Sequence, residues 1–271
     1  MIVHIDDSDD TRLAPYRMVA APRELAREGL FAAEGRLVLP RLLASRYRAH
    51  SVLVSHAALD ALRPLLDLHP HVDVYVTTAD AMSALGGVDF HRGCLALGHR
   101  GHPRTIGDLL APLDPGAPGP APVVILESVS NPDNIGGIFR SAHAFAAHAI
   151  ILGPGCADPL YRKSIRTSMG AALDVPWSEA RDWPGDLRAI QARGYRVIAL
   201  TTDAGAPPLA DAIAASTAPV AFLLGSEGHG LTAPALDAAD AHARISMPDA
   251  AADSLNVASA TSIALYEAHR G

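Results

Sequence analysis

The chain has 271 residues, 49% of them hydrophobic and 19% charged, with a formal net charge of −7. Its length exceeds the usual single-domain size of about 100–150 residues, so two domains are expected, and the composition excludes wholesale disorder. The negative balance excludes a protein that coats nucleic acid through many Lys and Arg contacts to phosphate, though not a local basic site.

In chain order, MIVHIDDSDDTR is acidic and lacks the basic start and apolar stretch of a signal peptide, and no run approaches the roughly 20 apolar residues that span a bilayer. EGRLVLPRLLASRYR (34–48) carries apolar residues at helical spacing. SVLVS (51–55) reads as a buried strand, HAALDALRPLLDL (56–68) as a helix broken or kinked near Pro64, and VDVYVT (72–77) and CLALG (94–98) as strands. Together they make a small α/β module. PLDPGAPGPAPV (112–123) packs prolines and glycines between two periodic halves, a semi-rigid linker composition. The expected division is 1–111, a linker at 112–122, and 123–271.

The second half repeats the alternation. VVILE (123–127), AIILG (149–153), YRVIALT (195–201), PVAFLLG (219–225) and HARISM (242–247) read as strands. Helices are expected from about Asn134, around 160–172, near 185–193, and over SLNVASATSIALYEAHR (254–270). Apolar strands alternating with helices indicate a mostly parallel sheet covered on both faces.

The two cysteines, Cys94 and Cys156, are far apart and form no CxxC pair, which fits a reducing cytoplasm and gives no Cys-based zinc site. The only lysine is Lys163, with no Gly-rich loop before it, which disfavours P-loop and Schiff-base chemistry. HPH (69–71) and HRGH (99–102) lack HExxH spacing and lie beside Pro and Gly, so they read as loop histidines and no metal is expected.

On a helix, NPDNIGGIFRSAHAF (131–145) puts Ile135, Ile138, Phe139, Ala142 and Phe145 on one apolar face. Arg140 falls on another, with Gly136 and Gly137 a turn before it. Small residues there admit a neighbouring backbone, so this face is expected to be covered. A covered Arg needs an acid, a phosphate or carbonyls to offset its desolvation. The alternative is a structural Arg paired with Glu127 or Glu227. FLLGSEGHGL (222–231) is a buried strand emptying into a Gly-rich turn with one acid, Glu227. Such a turn lets a ligand approach the backbone, or is simply tight. Ser254 stands where a helix N-cap would be, with Asn256 and Ser259 one turn apart. YRKSIRTSMGA (161–171) is the densest basic patch. Its mixture of Arg and hydroxyls suits phosphate and sugar contacts, against the alternative of a solvated helix face.

In order, NPDNIGGIFRSA, LLGSEGHGL and SLNVASATSIALYEA resemble the three signature motifs of the SpoU (TrmH) family of RNA ribose 2′-O-methyltransferases, within the SPOUT superfamily. GLFAAEGRLVLPRLLAS and HRGCLAL look like the family's small L30e-like substrate-binding domain. The resemblance implies an α/β chain: an N-terminal L30e-like domain and a C-terminal parallel-sheet domain with a deep trefoil knot, an exception to the rule against knots. It also implies a homodimer that binds S-adenosylmethionine. By motif position, Arg140, Asn134, Glu227, Ser254 and Asn256 carry catalysis, with Arg140 aligning the ribose and Ser254 steadying a phosphate. Thr201, Gly225, Ile245, Met247 and Leu255 hold the cofactor. Arg162, Lys163, Arg166, Ser168, Arg36 and Arg41 contact RNA, with ribosomal RNA favoured over transfer RNA. The sequence departs from the family pattern in ISMPDAAADSLN, where Ser246 replaces a proline and a glycine is missing. A non-catalytic RNA-binding or assembly protein that keeps the fold is the rival reading.

Overall fold

The computed structural model describes residues 1–5, 7, 9–86, 93–110, 121–248 and 254–270. Most of the linker expected at 112–122 therefore lies outside the described residues. The chain divides into two compact units, one of Met1–His102 with Pro159–Asp174, the other of Pro103–Asp158 with Val175–Gly271.

In the first unit, β1 (Ile2–His4), β2 (Leu30–Glu34), β3 (Ala49–Ser55), β4 (Asp73–Thr77) and β5 (Cys94–His99) form a sheet in the order β1-β4-β3-β5-β2. β4 runs parallel to β1 and β3, whereas β5 is antiparallel to β3 and β2. The middle of β3, Val52, Leu53 and Val54, is fully buried, as its unbroken apolar run requires. β2, with Leu30, Phe31, Ala32 and Ala33 buried, was not anticipated, because the helical spacing of EGRLVLPRLLASRYR begins at its last residue, Glu34. Gly35, at φ 106, then turns the chain, and the expected helix shrinks to Leu39–Ala44. Pro64 does not break the His56–Asp67 helix, because it and Asp60, whose carbonyl it leaves unpaired, both lie on the exposed side.

In the second unit, β6 (Val123–Leu126), β7 (Ala149–Leu152), β8 (Trp177–Glu179), β9 (Arg196–Leu200), β10 (Val220–Leu224) and β11 (Ala241–Ala243) form a sheet in the order β11-β9-β10-β6-β7-β8. Every pairing in it is parallel. From β6 the chain steps outward through β7 and β8, then crosses to the other side to lay down β9, β10 and β11. The strands' carboxyl ends therefore share one edge, and the order reverses beside β6, where open α/β sheets bind ligands.

The unit bounds differ from the expected ones in two places. Ile106, Leu109 and Leu110 pack into the second unit's core with Val123, Ile125 and Val197, so that unit begins at Pro103. The capping box of Thr105 and Asp108 sets the start of this four-residue helix, which is too short for periodicity to reveal. The expected 160–172 helix is instead two pieces, Arg162–Thr167 and Ala171–Asp174, and it clusters with the first unit. Met169 (φ 53) and Gly170 (φ 87) interrupt it. No helix among the described residues is long and apolar enough to cross a membrane.

Candidate active site

Asn131 caps the helix Pro132–Ala144, its side chain accepting the Asp133 N–H at 2.9 Å with Pro132 in the first turn. Ile135, Ile138, Phe139 and Ala142 are fully buried, the face the spacing indicated. Phe145 ends the helix and meets Tyr266 edge-on. The backbone admitted by the glycines belongs to the chain's own C-terminal helix, Val257–Arg270. A Cβ at Gly137 would stand 2.9 Å from Ala258 Cβ, and Ser141 Oγ lies 2.7 Å from Ser262 Oγ.

Arg140 corrects the expectation of a covered face. It is exposed, and it makes no hydrogen bond or ion pair among the described residues. Both acids offered as partners are engaged elsewhere. Glu127 is buried at the carboxyl end of β6, where Oε1 accepts from Trp183 Nε1 at 2.6 Å and Thr232 Oγ1 at 2.8 Å, and Oε2 from the Thr232 N–H at 2.8 Å. It thereby fixes the exit of the Gly-rich turn after β10. Sequence reasoning gave Glu127 no such role, although an acid ending the buried run VVIL was a usable signal.

Glu227 accepts from the Asn256 amide, which also donates to Asn134 Oδ1 at 2.9 Å. The Asn256 carbonyl oxygen accepts the N–H of Ala258 at 2.9 Å and of Ser259 at 3.3 Å. Asn256, not Ser254, is therefore the side chain that caps the C-terminal helix. Both choices suit a cap, and the observed start at Val257 decides between them. Since the oxygen serves the cap, the two amide protons are what join Asn134 to Glu227. One carboxamide thus ties the three motif segments together, with Asn134 buried and Glu227 exposed. Ser254 is exposed beside them.

Of the residues assigned to a cofactor, Thr201, Gly225, Ile245 and Met247 follow three adjacent strands, and Leu255 precedes the last helix. Thr201, just past β9, donates its N–H to Ala243 O at 2.9 Å and accepts from the Asp203 N–H at 3.1 Å. Gly225 follows β10, where any Cβ would collide with the backbone of Gly230 and Leu231, so the turn closes only around glycine. β11 stops at Ala243, short of the expected 247, because Arg244 leaves the sheet to bridge Pro208. Ile245, Met247 and Leu255 are half-buried. Of the departure in ISMPDAAADSLN, Ser246 is exposed, while 249–253 lie outside the described residues.

The expected RNA contacts divide. Arg162 pairs with buried Glu34 at 2.9 Å, with exposed Arg166 at 3.9 Å from the same oxygen, and Arg41 pairs with Asp174 at 3.0 Å. Arg36 and Lys163 are half-buried. Ser168 is corrected: it is 1% exposed, and its hydroxyl donates to Ile165 O and accepts from the Ala172 N–H. It has nothing left for RNA. Among the histidines, His69 and His71 face each other edge-on at 5.9 Å, and His99 Nε2 lies 3.0 Å from an Arg48 guanidinium nitrogen. No group of three or more His, Cys, Asp or Glu among the described residues could hold a metal ion.

Residues 121–266, more than half of the chain, match the SpoU rRNA Methylase family. The chain belongs to that family. It is accordingly an RNA methyltransferase that uses S-adenosylmethionine. A relative from Mycobacterium tuberculosis, named an uncharacterized tRNA/rRNA methyltransferase, is 38% identical over 97% of this chain and 90% of its own. A Bacillus subtilis protein, the 23S rRNA (guanosine(2553)-2′-O)-methyltransferase RlmP, is 26% identical over 97% of both chains. The solved AdoMet-bound rRNA methyltransferase of Sinorhizobium meliloti shares the fold, with a TM-score of 0.82 at 24% identity over 99% of this chain and 98% of that one.

Proposed function

We propose that this family member is a homodimeric RNA ribose 2′-O-methyltransferase acting on ribosomal RNA in the cytoplasm. The observation that carries the reading is the Asn256 amide joining Asn134, on the helix that leaves Arg140 exposed and, among the described residues, unpartnered, to Glu227 in the turn after β10. This is a preorganised acid and amide set on motif segments that also present a cation available to an incoming group. The name of the Bacillus relative supports both the ribose oxygen and ribosomal RNA.

The residues assigned to the cofactor fit it. Thr201, Gly225, Ile245 and Met247, past neighbouring strands, and Leu255, before the last helix, combine backbone polar groups with half-buried apolar side chains, a lining suited to an adenosine and a methionine chain. Bound there, S-adenosylmethionine supplies an electrophilic methyl on a sulfonium. Arg140 donates hydrogen bonds to the ribose 2′-oxygen, aligning it and stabilising the charge it develops as its proton passes to solvent water, since a guanidinium offers donors and no acceptor for that proton. Asn256 and Glu227 hold the loops around that position, and Ser254 steadies a substrate phosphate. In this reading a second copy covers the exposed Arg140 face, the second unit carries the trefoil knot, and the first unit is the L30e-like domain that engages RNA.

Titration with S-adenosylmethionine and transfer of its radiolabelled methyl to total RNA, each with the parent and Arg140→Ala, test the reading. Cofactor binding is expected in both proteins, with transfer falling about 100-fold or more in the variant. Absence of cofactor binding by the parent would overturn the reading, and binding without transfer to any RNA would favour the assembly-protein rival.

A further inference from the structure

A cleft of about 490 Å³ opens in the first unit between the turn after β2 and the segment that follows the Arg162–Thr167 helix. Its walls combine apolar and cationic groups: Leu37, Val38 and Met169 with Arg36 and Arg166, over the buried acid Glu34. Among the described residues only five large hydrophobic side chains are exposed, and two of them, Leu37 at 58% and Met169 at 39%, line this one cleft.

The cleft is built rather than incidental. Met169 is held at φ 53, a conformation that costs a non-glycine residue energy, and surroundings must enforce it. Gly170 behind it packs so tightly that a Cβ would lie 2.8 Å from Arg41 Cδ, while Arg41 is pinned by Asp174. On the opposite wall, Gly35 at φ 106 turns the chain so that Arg36, Leu37 and Val38 face the opening. Glu34 binds Arg162 at 2.9 Å and lies 3.9 Å from Arg166, which orients that guanidinium at the rim.

Apolar walls with arginines at the mouth match a planar, apolar-faced group joined to an anion. Sequence-reading of RNA works on such groups: unstacked bases sandwiched by side chains or guanidinium planes, with Arg on the phosphate. The volume lies within the roughly 300–1,000 Å³ of ligand pockets. We propose that this cleft takes one unpaired, unstacked nucleotide of the substrate RNA. Its base enters between Leu37 and Met169, and its phosphate meets Arg36 and Arg166. The inference rests on RNA being the substrate and makes the first unit a reader of a looped-out nucleotide rather than a general basic surface.

Filter binding with radiolabelled total ribosomal RNA tests it on the full chain, using Leu37→Asp and Arg166→Gln. Leu37 is exposed, so its replacement leaves the core intact; Leu37→Ser replaces the aspartate variant if thermal melting shows that it misfolds. Leu37→Asp is expected to weaken ribosomal RNA binding about tenfold or more, and Arg166→Gln to lower both affinity and the salt dependence by about one released ion. S-adenosylmethionine affinity should stay at the parent value in both. Photocrosslinking with 4-thiouridine-substituted ribosomal RNA should place the label within 34–38 or 166–169. Parent-level binding and methyl transfer in both variants would overturn the cleft while leaving the methyltransferase reading intact. Failure of the parent to bind S-adenosylmethionine, with RNA binding still dependent on Leu37, would do the reverse. A parent that does not bind ribosomal RNA also overturns the cleft.

Discussion

Asn256 uses its oxygen to cap a helix and its nitrogen to hold two other motifs, so the two functions separate by substitution. In Asn256→Asp a carboxylate oxygen still accepts the Ala258 N–H, but no donor remains for Asn134, and a charge faces Glu227. The cap is kept, so the C-terminal helix is expected to remain, while stability falls by about 1–3 kcal/mol from the orphaned Asn134 oxygen and the facing charges, and methyl transfer falls at least about tenfold. Equal activity in the two proteins would show that the bridge has no part in the reaction. The two thiols give a second test. Burial pushes Cys94 up to about 12 and Cys156 up to about 11 from an ordinary 9.0. Neither should react appreciably with Ellman's reagent at pH 8 until the chain unfolds. Both shifts are upward, so their contribution to stability is intact below pH 9 and lost as pH climbs toward 11–12. Denaturation measured across that window checks the sign. At this scale the sequence showed which residues share a helix face but not what lies opposite. Arg140 was legible as distinctive and misread as covered, and Asn256 became the cap only once the helix start was known.

Between elements, the tightest contact of the site is that of the Pro132–Ala144 helix with the C-terminal helix. Gly137→Ala forces two Cβ atoms to 2.9 Å and is expected to cost about 1–3 kcal/mol, with most of that restored by adding Ala258→Gly. A melting series of the two single variants and the double one reads this directly. Gly225→Ala has no such rescue, because the colliding atoms are the backbone of Gly230 and Leu231. It is expected to lose S-adenosylmethionine binding in a titration while the Gly137 pair retains it. The buried parallel strands were legible as apolar runs, since both faces are covered. β8, with three residues, and the Ile106–Leu109 helix, with four, were not, because neither is long enough for its period to recur. The break at Met169 left no Pro and only one Gly as a sequence signal, and β2 was hidden by helical spacing that begins at its last residue.

Across the whole molecule, the three motifs lie within one unit, whereas the basic segment between β7 and β8 belongs with the other. A division placed only at the 112–122 linker could not show this, although Gly153-Pro154-Gly155 and Pro159 mark where the segment leaves the second half and Pro176 where it rejoins. The proposed dimer predicts a mass of two chains in size-exclusion chromatography with light scattering, and a monomer that retained full activity would remove the second copy from the site. The central claim is methyl transfer to a ribose oxygen of ribosomal RNA. It is tested most directly by incubating the protein and labelled S-adenosylmethionine with unmodified ribosomal RNA, digesting to nucleosides and separating the labelled product by mass spectrometry. The expected product is a single 2′-O-methylated nucleoside, absent with Arg140→Ala; label on a base, or no labelled nucleoside, would contradict it.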